Sequence, residues 1–339
     1  MSSASTLAIP TLAAPNTASV RPRLEGFSDE ALNAAFEACR EVVRTRARNF
    51  YYGLRLTPEP RRSAVYAIYA WMRFGDDRVD STSSPEARKL ELDRFRELSL
   101  SVLSGSSLGG PEPFWPAFAA TLRSYPIDPA HVTAMIEGLG EDIDHQGYHT
   151  LSELEGYCYR VASTVGLVCM SIWGYRAGVT LTDLQCGAVM AERRGKAFQL
   201  TNILRDFAED FDQQPSRVYL PRELFDEFNL TPGDLRRWQN PAACSALVTK
   251  IATIARDHYA ASQALDELVD SPCRSTLWAM TRIYSGLLSI ILKNPAAIVG
   301  PSRIRLPSAG KAWIASSALL RGKFNLWPAS TIIHPERAP

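Results

Sequence analysis

Apolar residues recur every third or fourth position along Asp183 to Phe211 and again along Pro241 to Leu268. That interval gathers them on one face of an α-helix and gives a strand no consistent face to bury. Start signals point the same way. Thr57 with Pro58 reads as the N-cap and first residue of a helix running through Val79, Ser84-Pro85 and Asp128-Pro129 repeat the device, and Thr150 with Glu153 forms a capping box opening another long helix. No alternating strand pattern, helix–strand alternation or internal repeat accompanies them. The expectation is a single all-α domain over about residues 27–325, with short breaks at 104–113, 212–221 and 301–310. The Ser-, Ala-, Thr- and Pro-rich stretch 1–26 is expected to be a disordered tail, since it lacks the basic region and continuous apolar segment of a signal peptide. Residues 326–339 read as a C-terminal tail.

With 46% hydrophobic and 22% charged residues, a chain of 339 can bury one large core or two modest ones. A net charge of +1 provides no general field for a nucleic acid, so any polyanion must be met by a local site and no nucleic-acid partner is expected. The six cysteines (Cys39, Cys158, Cys169, Cys186, Cys244 and Cys273) contain no CxxC pair and read as reduced thiols. The longest apolar stretch, residues 276–300, is interrupted by Arg282 and Lys293 and falls short of the roughly 20 uninterrupted residues of a bilayer crossing. A buried helix is expected there, in a cytoplasmic protein that makes at most peripheral contact with a membrane.

The ten residues Trp71 to Asp80, WMRFGDDRVD, carry three carboxylates and two arginines in an otherwise apolar neighbourhood. Asp76 and Asp80 are four apart, so they repel from one helix face, with Cβ atoms roughly 5 to 6 Å apart. Alone, such a pair reads as a solvated acidic face. A second copy changes the reading: Asp206 and Asp210 repeat the spacing, with Asn202 a turn before and Gln199 just ahead of it. Two acidic stripes on apolar helices suggest faces turned toward each other across a cavity. Magnesium suits that arrangement, because it takes one or two carboxylates from each side and completes its shell with water and phosphate oxygens. The implied substrate is a diphosphate whose departure a metal ion would ease.

The segments YAIYAWMRFGDDRVD (66–80), GYCYRVASTVG (156–166), FQLTNILRDFAED (198–210) and RVYLP (217–221) follow in this order and resemble the hallmark segments of the squalene and phytoene synthase family. The resemblance covers nearly the whole chain after the N-terminal tail. It implies an isoprenoid synthase helical bundle around a central apolar cavity. The implied reaction joins two prenyl diphosphates, C15 or C20, head to head through a cyclopropylcarbinyl diphosphate. Two or three magnesium ions would assist, with manganese an alternative, and NADPH is left open. By the same resemblance Asp76, Asp80, Asp206 and Asp210 would hold the metal, while Gln199 and Asn202 would line the diphosphate pocket. Tyr69 and Arg73 would lie near the diphosphates, and Tyr157, Arg217, Tyr219 and Arg282 around the cavity. Arginines and phenols suit diphosphate oxygens, and aromatic faces suit a passing carbocation.

Departures from the family pattern are local. Ala47-Arg48-Asn49-Phe50 replaces the usual Ser-Lys-Ser-Phe, leaving Asn49 or Tyr51 to supply polar contacts; Ser163 stands where glycine is commoner, and Gly147 where a basic residue is common. Six residues separate Asp210 from Arg217 where about four are usual, so the loop before Arg217 and Tyr219 is longer here. Two rivals remain. A class I terpene cyclase would share the second metal motif but lacks YCYRVASTVG and RVYLP. A hydrolytic metal site could be drawn from His145 and His149 with Glu141, Asp142 and Asp144, although a solvated polar loop is the plainer reading of that stretch. No dinucleotide fingerprint follows a strand, since GLGED (138–142) has only part of one.

Overall fold

The computed structural model describes residues 22–81, 84–324 and 326–327. Residues 1–21 and 328–339, most of the expected tails at 1–26 and 326–339, lie outside the described residues, as do the side chains of Arg48, Asn49, Phe50 and Ser81. In chain order the helices are α1 (Asp29–Arg46), α2 (Arg48–Leu54), α3 (Arg61–Ser81), α4 (Pro85–Leu103), α5 (Trp115–Ser124), α6 (Pro129–Glu141), α7 (Leu151–Cys158) and α8 (Thr164–Trp173). They continue as α9 (Leu181–Asp212), α10 (Arg222–Glu227), α11 (Pro232–Arg237), α12 (Pro241–Ala261), α13 (Leu265–Leu268), α14 (Ser271–Lys293) and α15 (Ser308–Phe324). Among the described residues the one β-type pairing is an isolated bridge between Tyr175 and Val269. The all-α expectation holds.

Local chemistry explains where these helices start. Ser84 and Asp128 accept hydrogen bonds from the amides of Ala87 and Ala130, so both expected caps form. Thr150 likewise caps α7, but Glu153 reaches one residue further back, to the His149 amide at 2.7 Å. The expected start at Thr57 is corrected: α3 begins at Arg61, where Glu59 accepts from the amide and hydroxyl of Ser63. Thr57 is instead buried, and its hydroxyl meets that of Thr276 at 3.0 Å. A tertiary partner has taken the side chain that local pattern assigned to capping. The helix expected over Pro241 to Leu268 breaks after Ala261, with Leu265–Leu268 a separate turn. At the N-terminal side Leu24 is packed into the core.

Two apolar clusters fill the domain. The first centres on Trp71, whose ring stacks on Phe118 (4.9 Å between centroids) and on Phe95 (5.2 Å), while its indole N–H donates to Ser99 at 2.9 Å. Burying each such aromatic contributes about 1.5–3 kcal/mol, provided its polar atom keeps a partner as this one does. The second cluster joins Leu154, Leu200, Leu204, Leu247, Ile251 and Leu287 from α7, α9, α12 and α14. Phe198 on α9 packs against both, so the longest helix is the shared wall.

Between α7 and α8 the chain passes through one π-helical turn, Tyr159–Ser163. The turn lies directly against α9 at Gly195. A Cβ placed there would sit 2.4 Å from Ser163 Cα, which only glycine avoids. Ser163 fastens the contact by donating from Oγ to the Glu192 carbonyl at 2.7 Å. That bond gives a reason for serine where glycine was the commoner expectation. Gly147 has φ of +80°, a conformation that the basic residue common at this position would adopt only with strain.

Candidate active site

Helical spacing places Tyr69, Arg73, Asp76 and Asp80 on one stripe of α3, and Gln199, Asn202, Asp206 and Asp210 on one stripe of α9. The two stripes meet through Arg217. Its backbone N–H donates to the Asp210 carbonyl at 2.8 Å, and its guanidinium lies 3.5 Å from Asp80 Oδ1. The extra residues of the 213–216 loop are therefore absorbed before Arg217, which the chain returns to the cleft.

Asp142, the C-cap of α6, is the residue that sequence reasoning placed in a solvated loop and the fold places at the centre. Its carboxylate accepts from the Tyr157 hydroxyl at 3.1 Å and from the Tyr219 hydroxyl at 2.9 Å. The two phenol rings stack with centroids 5.3 Å apart. Around them, Tyr148 donates to Glu141, Arg160 also donates to Glu141, and His145 contacts the Val218 carbonyl through Nε2 at 3.0 Å. These contacts engage Glu141, Asp142 and His145 of the rival hydrolytic site; Asp144 and His149 are exposed, and among the described residues no three His, Cys, Asp or Glu gather to hold a metal by themselves.

Electrostatics distinguish the carboxylates. Burial in the cleft pushes the Asp76 carboxyl up to about 7, with Arg73 opposing and Asp80, Asp142 and Asp77 reinforcing. Asp76 still shows about 40% of its side chain to solvent, so the cause is a confined cleft rather than a sealed core. Asp210 is likewise raised to about 7 by burial and by Asp206, Asp142 and Glu209, against Arg217. Burial also raises Asp142, although Tyr219, Arg217 and Tyr157 all favour its anion. Asp206 behaves oppositely. Burial is outweighed there by paired hydrogen bonds from Arg205 (2.7 and 2.6 Å) and Arg303 (2.6 and 2.5 Å), and its carboxyl is held below the usual range. Asp206 thus lies on the expected stripe but is gripped by two guanidinium groups. Arg303 was not singled out from the sequence, because it sits in a break between helices with no motif to mark it.

Arg73 donates to Asp77 and lies 3.9 Å from Asp76. Tyr69 is half-buried beside it, its phenol pushed up to about 12 by burial and thus neutral. Asn202 Nδ2 reaches Gln199 at 3.4 Å, while Asn202 Oδ1 is buried without a hydrogen-bond partner. Tyr51 stands against Tyr52 and under Arg55. Arg282 is the expected site residue that the fold takes elsewhere. Its guanidinium lies over the Trp278 ring at 5.4 Å, in a groove shared with Arg274 and Arg321.

The donor set fits divalent metal ions bound together with a diphosphate. It offers hard oxygen ligands, two carboxyls whose charges are under-compensated, and an orphaned amide oxygen on the same helix stripe. Protein ligands alone are too few to enclose an ion, so phosphate oxygens and water would complete its shell.

Comparison with solved structures identifies the architecture. A dehydrosqualene synthase in complex with ligand superposes with a TM-score of 0.73 at 24% identity, covering 87% of this chain and 99% of that one. A squalene synthase from Alicyclobacillus acidocaldarius gives 0.68 at 22% identity, over 78% of this chain and 96% of that one. The protein has the all-α isoprenoid synthase fold. Its sequence carries the assignment further: the squalene/phytoene synthase family profile matches residues 43–309. A phytoene synthase of Mycobacterium bovis is 36% identical over 291 residues (85% of this chain, 91% of that protein). A 15-cis-phytoene synthase of Synechocystis is 31% identical over 269 residues, 78% of each. The chain belongs to the squalene/phytoene synthase family, and is a prenyltransferase of the kind that condenses prenyl diphosphates head to head.

Proposed function

We propose that the protein is a phytoene-type synthase, which joins two C20 prenyl diphosphates through a cyclopropylcarbinyl diphosphate and releases diphosphate twice. The observation that carries the reading is the convergence of both aspartate stripes on Arg217 and Asp142, which supplies metal ligands and cations at one cleft. The choice of C20 over C15 follows the relatives named phytoene synthase.

Asp76, Asp80 and Asp210 would hold two or three magnesium ions, or manganese, and Asp206 would join them as Arg303 exchanges its carboxylate for a diphosphate oxygen. Ions held by these carboxylates would neutralise charge on the departing diphosphate and so ease ionisation of the allylic C–O bond. Arg73 and Arg217 donate to diphosphate oxygens, and the neutral Tyr69 phenol adds a hydrogen bond. Asn202 and Gln199 present amides to the same group. The stacked faces of Tyr157 and Tyr219, fixed by Asp142, lie beside the carbocation and stabilise it. The departing diphosphate takes the final proton, so the hydrocarbon forms without NADPH. It then leaves through a peripheral contact with a bilayer, because a long hydrocarbon has no stable place in water.

Purified protein incubated with magnesium and with C15 or C20 prenyl diphosphate, each with and without NADPH, tests this directly. A C40 hydrocarbon made from C20 substrate alone, independent of NADPH, is expected. Squalene or presqualene diphosphate from C15 would overturn the chain-length reading, and a cyclised product from a single diphosphate would replace condensation with terpene cyclisation.

A further inference from the structure

Helix α15 carries an apolar stripe on its outer side. Trp313, Leu320 and Phe324 follow at i, i+7 and i+11 and are 65%, 54% and 58% exposed. The inner side is set by Ile314 and Ala318, both buried, and by Gly322, which packs on Ser275. At 100° per residue the centres of the two sides lie roughly 140° apart, so the outer stripe cannot reach the core. Leu319, on another side of the helix, and Leu326, just beyond its end, are 59% exposed each. The other exposed large apolar side chains, Tyr52, Leu90, Leu100, Leu181 and Val189, are spread over α2, α4 and α9.

Charge in the groove beside this patch is net positive: Arg194, Arg256, Arg274, Arg282 and Arg321 line it against Asp266 and Glu267, in a chain whose net charge is only +1. Beside the stripe, Arg274, Arg282 and Arg321 border a groove of about 410 Å³. Their guanidinium groups lie over indole rings: Arg274 over Trp327 at 4.7 Å, and Arg282 and Arg321 over Trp278 at 5.4 and 5.2 Å. Arg274 Nε is buried without a hydrogen-bond partner. Stacked in this way, the cations are held in place with donors to spare for an anion.

We infer that the α15 face is a docking surface for an anionic phospholipid bilayer, in which Trp313, Leu320 and Phe324 enter the acyl boundary and the Arg274–Arg282–Arg321 groove takes lipid phosphate. Charge complementarity favours this occupant. A second copy of the chain would bring an equally basic face against this one, whereas an anionic leaflet attracts every basic residue on it. No helix among the described residues is long and apolar enough to cross a membrane, so the contact is peripheral. The inference gives a location to the product-release contact proposed above and rests on that reading for its purpose only. The contact itself needs no catalysis.

Vesicle sedimentation of the full-length protein tests it. Binding to phosphatidylcholine vesicles containing phosphatidylglycerol is expected, with weak binding to phosphatidylcholine alone and release by salt. The triple variant Trp313→Ser, Leu320→Ser, Phe324→Ser and the double variant Arg274→Gln, Arg321→Gln should each lower partitioning about tenfold or more. Arg274→Lys with Arg321→Lys should retain it. Thermal melts establish that each variant is folded, and turnover in detergent should be unchanged in all. Undiminished binding by the triple variant would overturn the proposal. So would failure to bind vesicles together with a dimer that the triple variant dissociates, or vesicle binding that appears only after residues 328–339 are removed. Loss of turnover in the unmodified protein, with vesicle binding intact, would count against the catalytic reading alone.

Discussion

Tyr157 and Tyr219, 62 positions apart in sequence, stack at 5.3 Å and donate both hydroxyls to the single carboxylate of Asp142. One end of α6 thereby fixes one face of the candidate site. Each ring is almost fully buried, and Asp142 is the carboxylate that both hydroxyls share.

Replacing Asp142 with Ala strands two buried phenols, and a loss of about 2–4 kcal/mol in unfolding free energy is expected from chemical denaturation. Asp142→Asn keeps one acceptor oxygen and should lose less. Tyr157→Phe should reduce turnover far more than Tyr159→Phe, because Tyr157 holds the Asp142 contact while among the described residues no carboxylate accepts a hydrogen bond from Tyr159. Equal effects of the two would remove Tyr157 from the site.

Asp76→Asn and Asp210→Asn should each abolish turnover while leaving the metal-free fold unchanged or slightly more stable at pH 8. Both side chains are destabilised as anions there, since each carboxyl is raised to about 7 mainly by burial. A variant that retains full activity would contradict its assignment as a metal ligand; a large loss of thermal stability would mean the carboxylate has a structural role instead.

The same shifts set a pH dependence. A carboxyl near 4 in the unfolded chain and near 7 in the folded one keeps its proton longer in the native state, so the folded form binds more protons between those values. The contribution of Asp76 and Asp210 to stability is therefore present at low pH and is lost as pH rises through about 7, with Arg73 and Arg217 limiting its size. In the metal-free protein, the Tm of either Asn variant relative to the unsubstituted protein should rise from pH 5 to pH 8. Added magnesium and diphosphate should bind more tightly over the same interval, releasing protons as they do. A Tm difference independent of pH would show that neither carboxyl titrates in that range.

Gly195→Ala should destabilise the protein by about 2 kcal/mol or more, as the new methyl meets the Ser163 backbone and α9 must move away from the π-helical turn. Gly310→Ala, on an open surface of α15, is the control and should be neutral or mildly stabilising. Equal melting behaviour of the two variants would mean that α9 and the turn are not in close contact.

Periodicity and capping residues were enough to specify an all-α chain, because both act over three or four neighbouring positions and tertiary packing rarely overrides so many consistent local preferences. The DxxxD stripes were legible for the same reason: helical geometry alone aligns Asp76 with Asp80 and Asp206 with Asp210. Local pattern misled where a side chain had a distant partner, as when Thr57 turned to Thr276 and left the start of α3 to Glu59.

What tertiary structure alone decided is which charges meet. Asp142 sits at a helix end with no repeated motif, and Arg303 in a break between helices, yet one anchors both tyrosines and the other grips Asp206. Arg282 matched a site position in sequence and lies over an indole at another face. Charge–charge coupling depends on distance in space, which a folded chain sets through contacts between residues tens to hundreds of positions apart, and linear spacing carries no record of it.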